Sequence, residues 1–142
     1  MKATYKLEET DKIAEELLGN LIISNNGATI LALNGELGAG KTTLVKSLAK
    51  ILGIEENVVS PTFVIAKFYE TNFTNFKKLV HIDAYRIEDA RELDKIGWQN
   101  IANDKENLVI IEWPTIVQSY LPKDTNIFAI EHGADMRTIK RI

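Results

Sequence analysis

The chain has no cysteine, and among its 142 residues it has only 3 prolines and 2 histidines. Without cysteine there is no disulfide framework and no thiolate metal site. With 3 prolines and 8 glycines, long linkers and low-complexity disorder are not expected. The first eight residues, Met1 to Glu8, lack the apolar run of a signal peptide. No uninterrupted apolar segment approaches the roughly 20 residues needed to cross a bilayer. The expectation is a cytoplasmic protein with no membrane partner. Excess positive charge is missing too, since 17 basic residues stand against 20 acidic ones for a net charge of -3. Direct DNA binding would want a broad positive field, and none is expected.

What is present is enough for one domain over 1–142, with 45% hydrophobic residues to bury. Ala3, Tyr5 and Leu7 alternate with Lys2, Thr4 and Lys6, which predicts a half-buried strand over 2–8. Thr10 then suits a helix N-cap, and Ile13, Ala14, Leu17, Leu18, Leu21 and Ile22 predict an amphipathic helix over 11–24, stopped by Asn25-Asn26-Gly27. Thr29 to Asn34 reads as a strand buried on both faces. A second helix is expected from Lys41 to Leu52, with Leu44, Val45, Leu48 and Leu52 on one face and Gly53 ending it. Further strands are predicted at Val64–Tyr69, Leu79–Asp83 and Leu108–Glu112, with a hairpin turn over 71–75 and short helices within 89–103. Ile127–Ile130 and Thr138–Arg141 read as a closing antiparallel pair. The sum is an α/β fold, a P-loop NTPase-like three-layer domain with a mixed, partly parallel sheet and helices on both faces.

Between the first buried strand and its helix lies Gly35-Glu36-Leu37-Gly38-Ala39-Gly40-Lys41-Thr42. It matches G-x-x-x-x-G-K-[ST] in full, and each position has a physical reason. The glycines let backbone N–H groups of Gly38, Ala39 and Gly40 turn inward as an anion nest, and the helix start adds its own free N–H groups. Lys41 reaches the β- and γ-phosphates, Thr42 is placed to coordinate magnesium, and Thr43 stands near the α-phosphate. Chance would supply these fixed positions in well under about one in a hundred chains of this length, so the loop is taken as a nucleotide site.

Such a site needs an acidic side chain at a neighbouring strand end. Asp83 and Glu112 each close an apolar run, so one can hold metal and the other water. Ser60-Pro61-Thr62 reads either as a γ-phosphate-sensing segment or as a turn opening the next strand. Arg86 reads either as a phosphate stabiliser or as a surface arginine. His81 and Trp113 read as structural, and His132 has no ligand partners nearby in sequence. The guanine signature Asn-Lys-x-Asp is missing, and Asp94-Lys95-Ile96-Gly97 falls inside a helical pattern, which favours ATP.

Four motifs occur in order: Gly35 to Leu44, Ser60-Pro61-Thr62-Phe63, His81-Ile82-Asp83-Ala84-Tyr85-Arg86 and Ile111-Glu112-Trp113-Pro114, with Glu92-Leu93 and Gly97 between the last two. On these motifs the chain resembles the TsaE (YjeE) family, small bacterial P-loop ATPases of tRNA threonylcarbamoyladenosine biosynthesis. The resemblance implies a magnesium-dependent ATPase, weak alone, that acts with TsaD and TsaB and meets tRNA through that complex. It implies ATP and Mg2+ as cofactors, with Thr42 and Glu112 on magnesium and Asp83 important for activity. It implies further that the N-terminal segment and a C-terminal arginine help hold nucleotide; Thr10 and Arg137 are the best matches. The alternative is a small-molecule or nucleoside kinase, which needs an arginine-bearing lid and an acceptor pocket. A third reading is a switch module that hydrolyses little.

Overall fold

Strands and helices alternate along most of the chain. The strands are β1 (Lys2–Tyr5), β2 (Thr29–Asn34), β3 (Ala66–Glu70), β4 (Lys78–Asp83), β5 (Asn107–Glu112), β6 (Asn126–His132) and β7 (Arg137–Arg141). The helices are α1 (Thr10–Gly19), α2 (Lys41–Ile51) and α3 (Trp98–Asn103), with 3-10 segments at Leu7–Glu9, Ala90–Ile96 and Pro114–Tyr120. This computed structural model describes residues 1–58 and 65–142. The expected strand start at Val64 and the Ser60-Pro61-Thr62 segment lie outside the described residues.

One seven-stranded sheet results, in the order β1-β7-β6-β2-β5-β4-β3. Its middle is parallel, since β2 pairs in parallel with β5 and β6, and β4 with β5. The edges are antiparallel through β3, β7 and β1. Of these, β2, β4 and β5 are covered on both faces, which explains their unbroken apolar runs, whereas β6 alternates buried with half-buried positions. Alternate residues feed two cores. Leu31, Leu33, Leu79, Leu108, Ile110 and Phe128 pack with Ile13 and Leu17 of α1 and Leu44, Val45 and Leu48 of α2. Ile30, Val80, Ile82, Val109 and Ile111 pack with Leu93, Trp98, Ile101 and Val117 on the other face. The expected three layers are therefore present.

Three expectations at the N-terminus are corrected. The strand ends at Tyr5, and Thr10 is the first residue of α1 rather than its cap, because the chain already turns at Leu7–Glu9. There the Lys6 amide donates to the Glu9 carboxylate at 2.7 Å. The helix ends at Gly19 rather than running to 24. The Asn20 side-chain amide turns back onto the Glu16 carbonyl at 2.8 Å. The Ile22 amide then donates to Asn126 Oδ1 at 2.8 Å, and Asn126 Nδ2 returns a bond to the Ile22 carbonyl at 3.0 Å. These tertiary bonds override the helical period, and Ile22 is left 58% exposed.

Candidate functional site

The three strands that matter end level. Leu33 of β2 is the register partner of Glu112, and Glu112 is the partner of Asp83. Side chains two apart on a strand share a face, so Asp83 and Glu112 point to the same face as Leu79 and Ile110. That is the face covered by α2. The level strand ends thus bring both carboxylates beneath the loop joining β2 to α2.

The loop takes its shape from glycine. Gly40 has φ +99°, and a Cβ there would stand 2.9 Å from Arg137 Nε. Both the left-handed backbone and the crowding require a residue without a side chain. Arg137 donates from Nε to the Ala39 carbonyl at 3.2 Å, so β7 buttresses the loop from outside. Lys41 is buried, and its Nζ donates to the carbonyls of Gly35 at 2.5 Å and Glu36 at 2.9 Å. Burial lowers the Lys41 pKa from its ordinary value, and the negative charges of Glu112 and Asp83 oppose that shift.

Thr42 donates from Oγ1 to Glu112 Oε1 at 3.0 Å. The other carboxylate oxygen, Oε2, lies 2.5 Å from His81 Nε2. Glu112 is 2% exposed, so its charge is held by these partners and by the nearby lysine. Asp83 is half-buried, and its Oδ1 accepts from the Tyr85 amide at 3.0 Å. Trp113 closes the site from the end of β5. It is the one residue other than glycine with positive φ, at 58°, among those described. The turn sets its indole with the ring centroid 4.0 Å from Lys41 Nζ and 5.0 Å from the Tyr85 ring.

A cavity of about 370 Å³ opens here, lined by Gly38, Gly40, Lys41, Thr42, Thr43, Asp83, Glu112, Arg137 and the rings of Tyr85 and Trp113. It gathers nearly every residue singled out from the sequence. Ala39 is buried behind it, presenting its carbonyl to Arg137. Thr10 stands apart at the start of α1, where its hydroxyl donates to the Leu7 carbonyl at 2.6 Å. Arg86 is exposed and does not line the cavity. Sequence reasoning missed two features. His81 and Trp113 read as structural, yet one touches Glu112 and the other covers Lys41. The left-handed turn of Trp113 leaves no mark in sequence beyond the proline that follows.

A larger cavity of about 860 Å³ lies at the amino ends of β2, β5 and β6, lined by residues including Gly27, Trp98, Asn103, Tyr120 and Lys123. It has no glycine nest and no strand-end carboxylate pair, so chemistry favours the smaller one. Among the described residues, no group of three or more His, Cys, Asp or Glu could hold a metal ion. A hydroxyl and a carboxylate 3.0 Å apart, both hard oxygen donors, fit magnesium, which keeps waters and substrate phosphates as its other ligands. No helix among the described residues is long and apolar enough to cross a membrane.

A buried parallel strand, a glycine-shaped turn and a helix opening on Lys-Thr define a P-loop α/β domain. The chain belongs to the TsaE family: the family model described as threonylcarbamoyl adenosine biosynthesis protein TsaE matches residues 4–141. Relatives bear the name tRNA threonylcarbamoyladenosine biosynthesis protein TsaE. That of Haemophilus influenzae is 35% identical over 131 residues, covering 92% of this chain and 78% of its own length. That of Borreliella burgdorferi is 42% identical over 95 residues, covering 67% of this chain and just under two thirds, 66%, of its own length. The crystal structure of Bacillus subtilis YdiB superimposes with a TM-score of 0.69 at 28% identity, over 99% of this chain and 84% of that one.

Proposed function

We propose that this chain binds and hydrolyses ATP with magnesium, and that it serves threonylcarbamoyladenosine modification of tRNA as an accessory subunit acting with TsaD and TsaB. One observation carries the hydrolytic part. Thr42 and Glu112 are joined at the foot of the loop with Asp83 level beside them. In this reading the backbone N–H groups of Gly38 to Thr43 bind the phosphates, and Lys41 leaves its loop carbonyls to meet the β- and γ-oxygens. Thr42 and Glu112 would hold magnesium, whose positive charge would offset the charge developing on the phosphate oxygens. Asp83 orients the attacking water. Arg137 secures the loop from outside through Ala39. The pathway rests on family membership, and a cytoplasmic location and indirect contact with tRNA follow from it.

A kinase reading has less support, because Arg137 is the one arginine among the described residues lining the cavity. Phosphate release is measured for the chain alone, with TsaD and TsaB, and with small-molecule acceptors. Turnover that is weak alone and rises with the two proteins is expected. Phosphorylation of an acceptor in their absence would overturn the proposal.

A further inference from the structure

His81 stands mid-strand in β4 at 0% exposure, a polar ring on the sheet face that carries Leu31, Leu33, Leu79, Leu108 and Ile110. Its register partner in β5 is Ile110, two pairs before the Asp83–Glu112 pair. Alternation places His81, Asp83, Ile110 and Glu112 on the α2 face, so His81 lies one layer beneath the Glu112 carboxylate. A buried imidazole without a partner costs free energy, and the partner here is Glu112 Oε2 at 2.5 Å.

The geometry fixes the direction of that bond. Among the described residues, His81 Nδ1 has no hydrogen-bond partner. A buried lone pair left bare is tolerated better than a buried N–H left bare. The ring proton is therefore assigned to Nε2, which donates to the Glu112 carboxylate. Each carboxylate oxygen of Glu112 then accepts one bond, Oε1 from Thr42 and Oε2 from His81. The last torsion of a glutamate is intrinsically broad, so one donor alone would leave the carboxylate free to rotate.

We infer that His81 is a positioning residue: its Nε2–H locks the Glu112 carboxylate so that Oε1 faces Thr42 Oγ1, setting the oxygen pair that receives nucleotide-bound magnesium. The inference rests on the magnesium–nucleotide reading above and adds a second layer to it. Such supporting partners typically change metal affinity or activity by about 10–100-fold when removed.

Binding of a fluorescent ATP analogue is titrated in magnesium and in EDTA, with thermal unfolding followed on every variant. In His81→Leu, affinity in EDTA stays as in the parent chain, while the gain given by magnesium falls about 10-fold. His81→Gln keeps an N–H donor of similar reach and restores most of that gain. Placed on Glu112→Gln, His81→Leu adds no further loss, because both changes remove one interaction. An equal loss with and without magnesium, or additive losses in the double variant, would overturn the assignment. Should His81→Leu fail to fold, His81→Asn decides: its amide ends short of Glu112, so Gln and Asn behaving alike counts against the inference. A parent chain that gains nothing from magnesium sinks the reading of the site itself, which separates the two failures.

Discussion

The two ends of the sheet make an instructive pair. At the amino ends of β2, β5 and β6 lies the larger cavity, about 860 Å³, lined by residues of helical segments and connecting loops such as Gly27, Trp98, Asn103, Tyr120 and Lys123. At the carboxyl ends lies a cavity of about 370 Å³ in which a buried lysine, a buried glutamate, a left-handed glycine and a left-handed tryptophan converge. Volume does not distinguish a working site from a surface dent. Cost does: conformations and burials that destabilise a fold gather where something uses them.

Four perturbations test that contrast, from the largest effect to the smallest. Lys41→Ala should reduce ATP turnover by about 100-fold or more, since in the proposed mechanism this ammonium meets the developing charge; turnover within a few-fold of the parent would mean the carboxyl-end cavity is not the site. Gly40→Ala should destabilise the fold by about 1–3 kcal/mol in denaturant unfolding, because alanine is strained at φ +99° and crowds Arg137. An unchanged midpoint would show the loop to be relaxed. The third perturbation is pH. Burial leaves the folded-state pKa of Lys41 below its ordinary 10.5, so below that value the unfolded chain binds more protons than the folded one. Stability should therefore rise with pH as it approaches 10.5, by a modest slope that Lys41→Met abolishes. Identical pH slopes in both chains would remove the argument from burial. Last, Tyr120→Phe at the amino end breaks its exposed bond to Asp94 and should lower the unfolding midpoint only slightly, with turnover unchanged. A loss of turnover there would break the contrast between the two ends.

The loop and the carboxylates were legible in sequence for different reasons. Gly40 must be glycine because of its backbone angle, so the motif carries its geometry with it. Asp83 and Glu112 each follow an apolar run, and a strand buried on both faces tolerates a carboxylate only near its end. The pairing of His81 with Glu112 was hidden, because it depends on which strands are neighbours and in what register. The end of α1 was hidden for a similar reason: Asn126, more than a hundred residues away, takes over the backbone at Ile22. Periodicity reports what a segment prefers by itself, and both misses are decided by residues distant in the chain.

The two carbonyls held by Lys41 have a further consequence. An anion entering the loop does not find an idle ammonium. In the proposed function it would draw the lysine away from Gly35 and Glu36, so binding would be an exchange of partners rather than a simple addition. The affinity would then be a difference between two sets of bonds, smaller than the contacts in the filled site would suggest. The same exchange would free two carbonyl oxygens beside the loop, so occupancy would be written into the backbone of the segment itself.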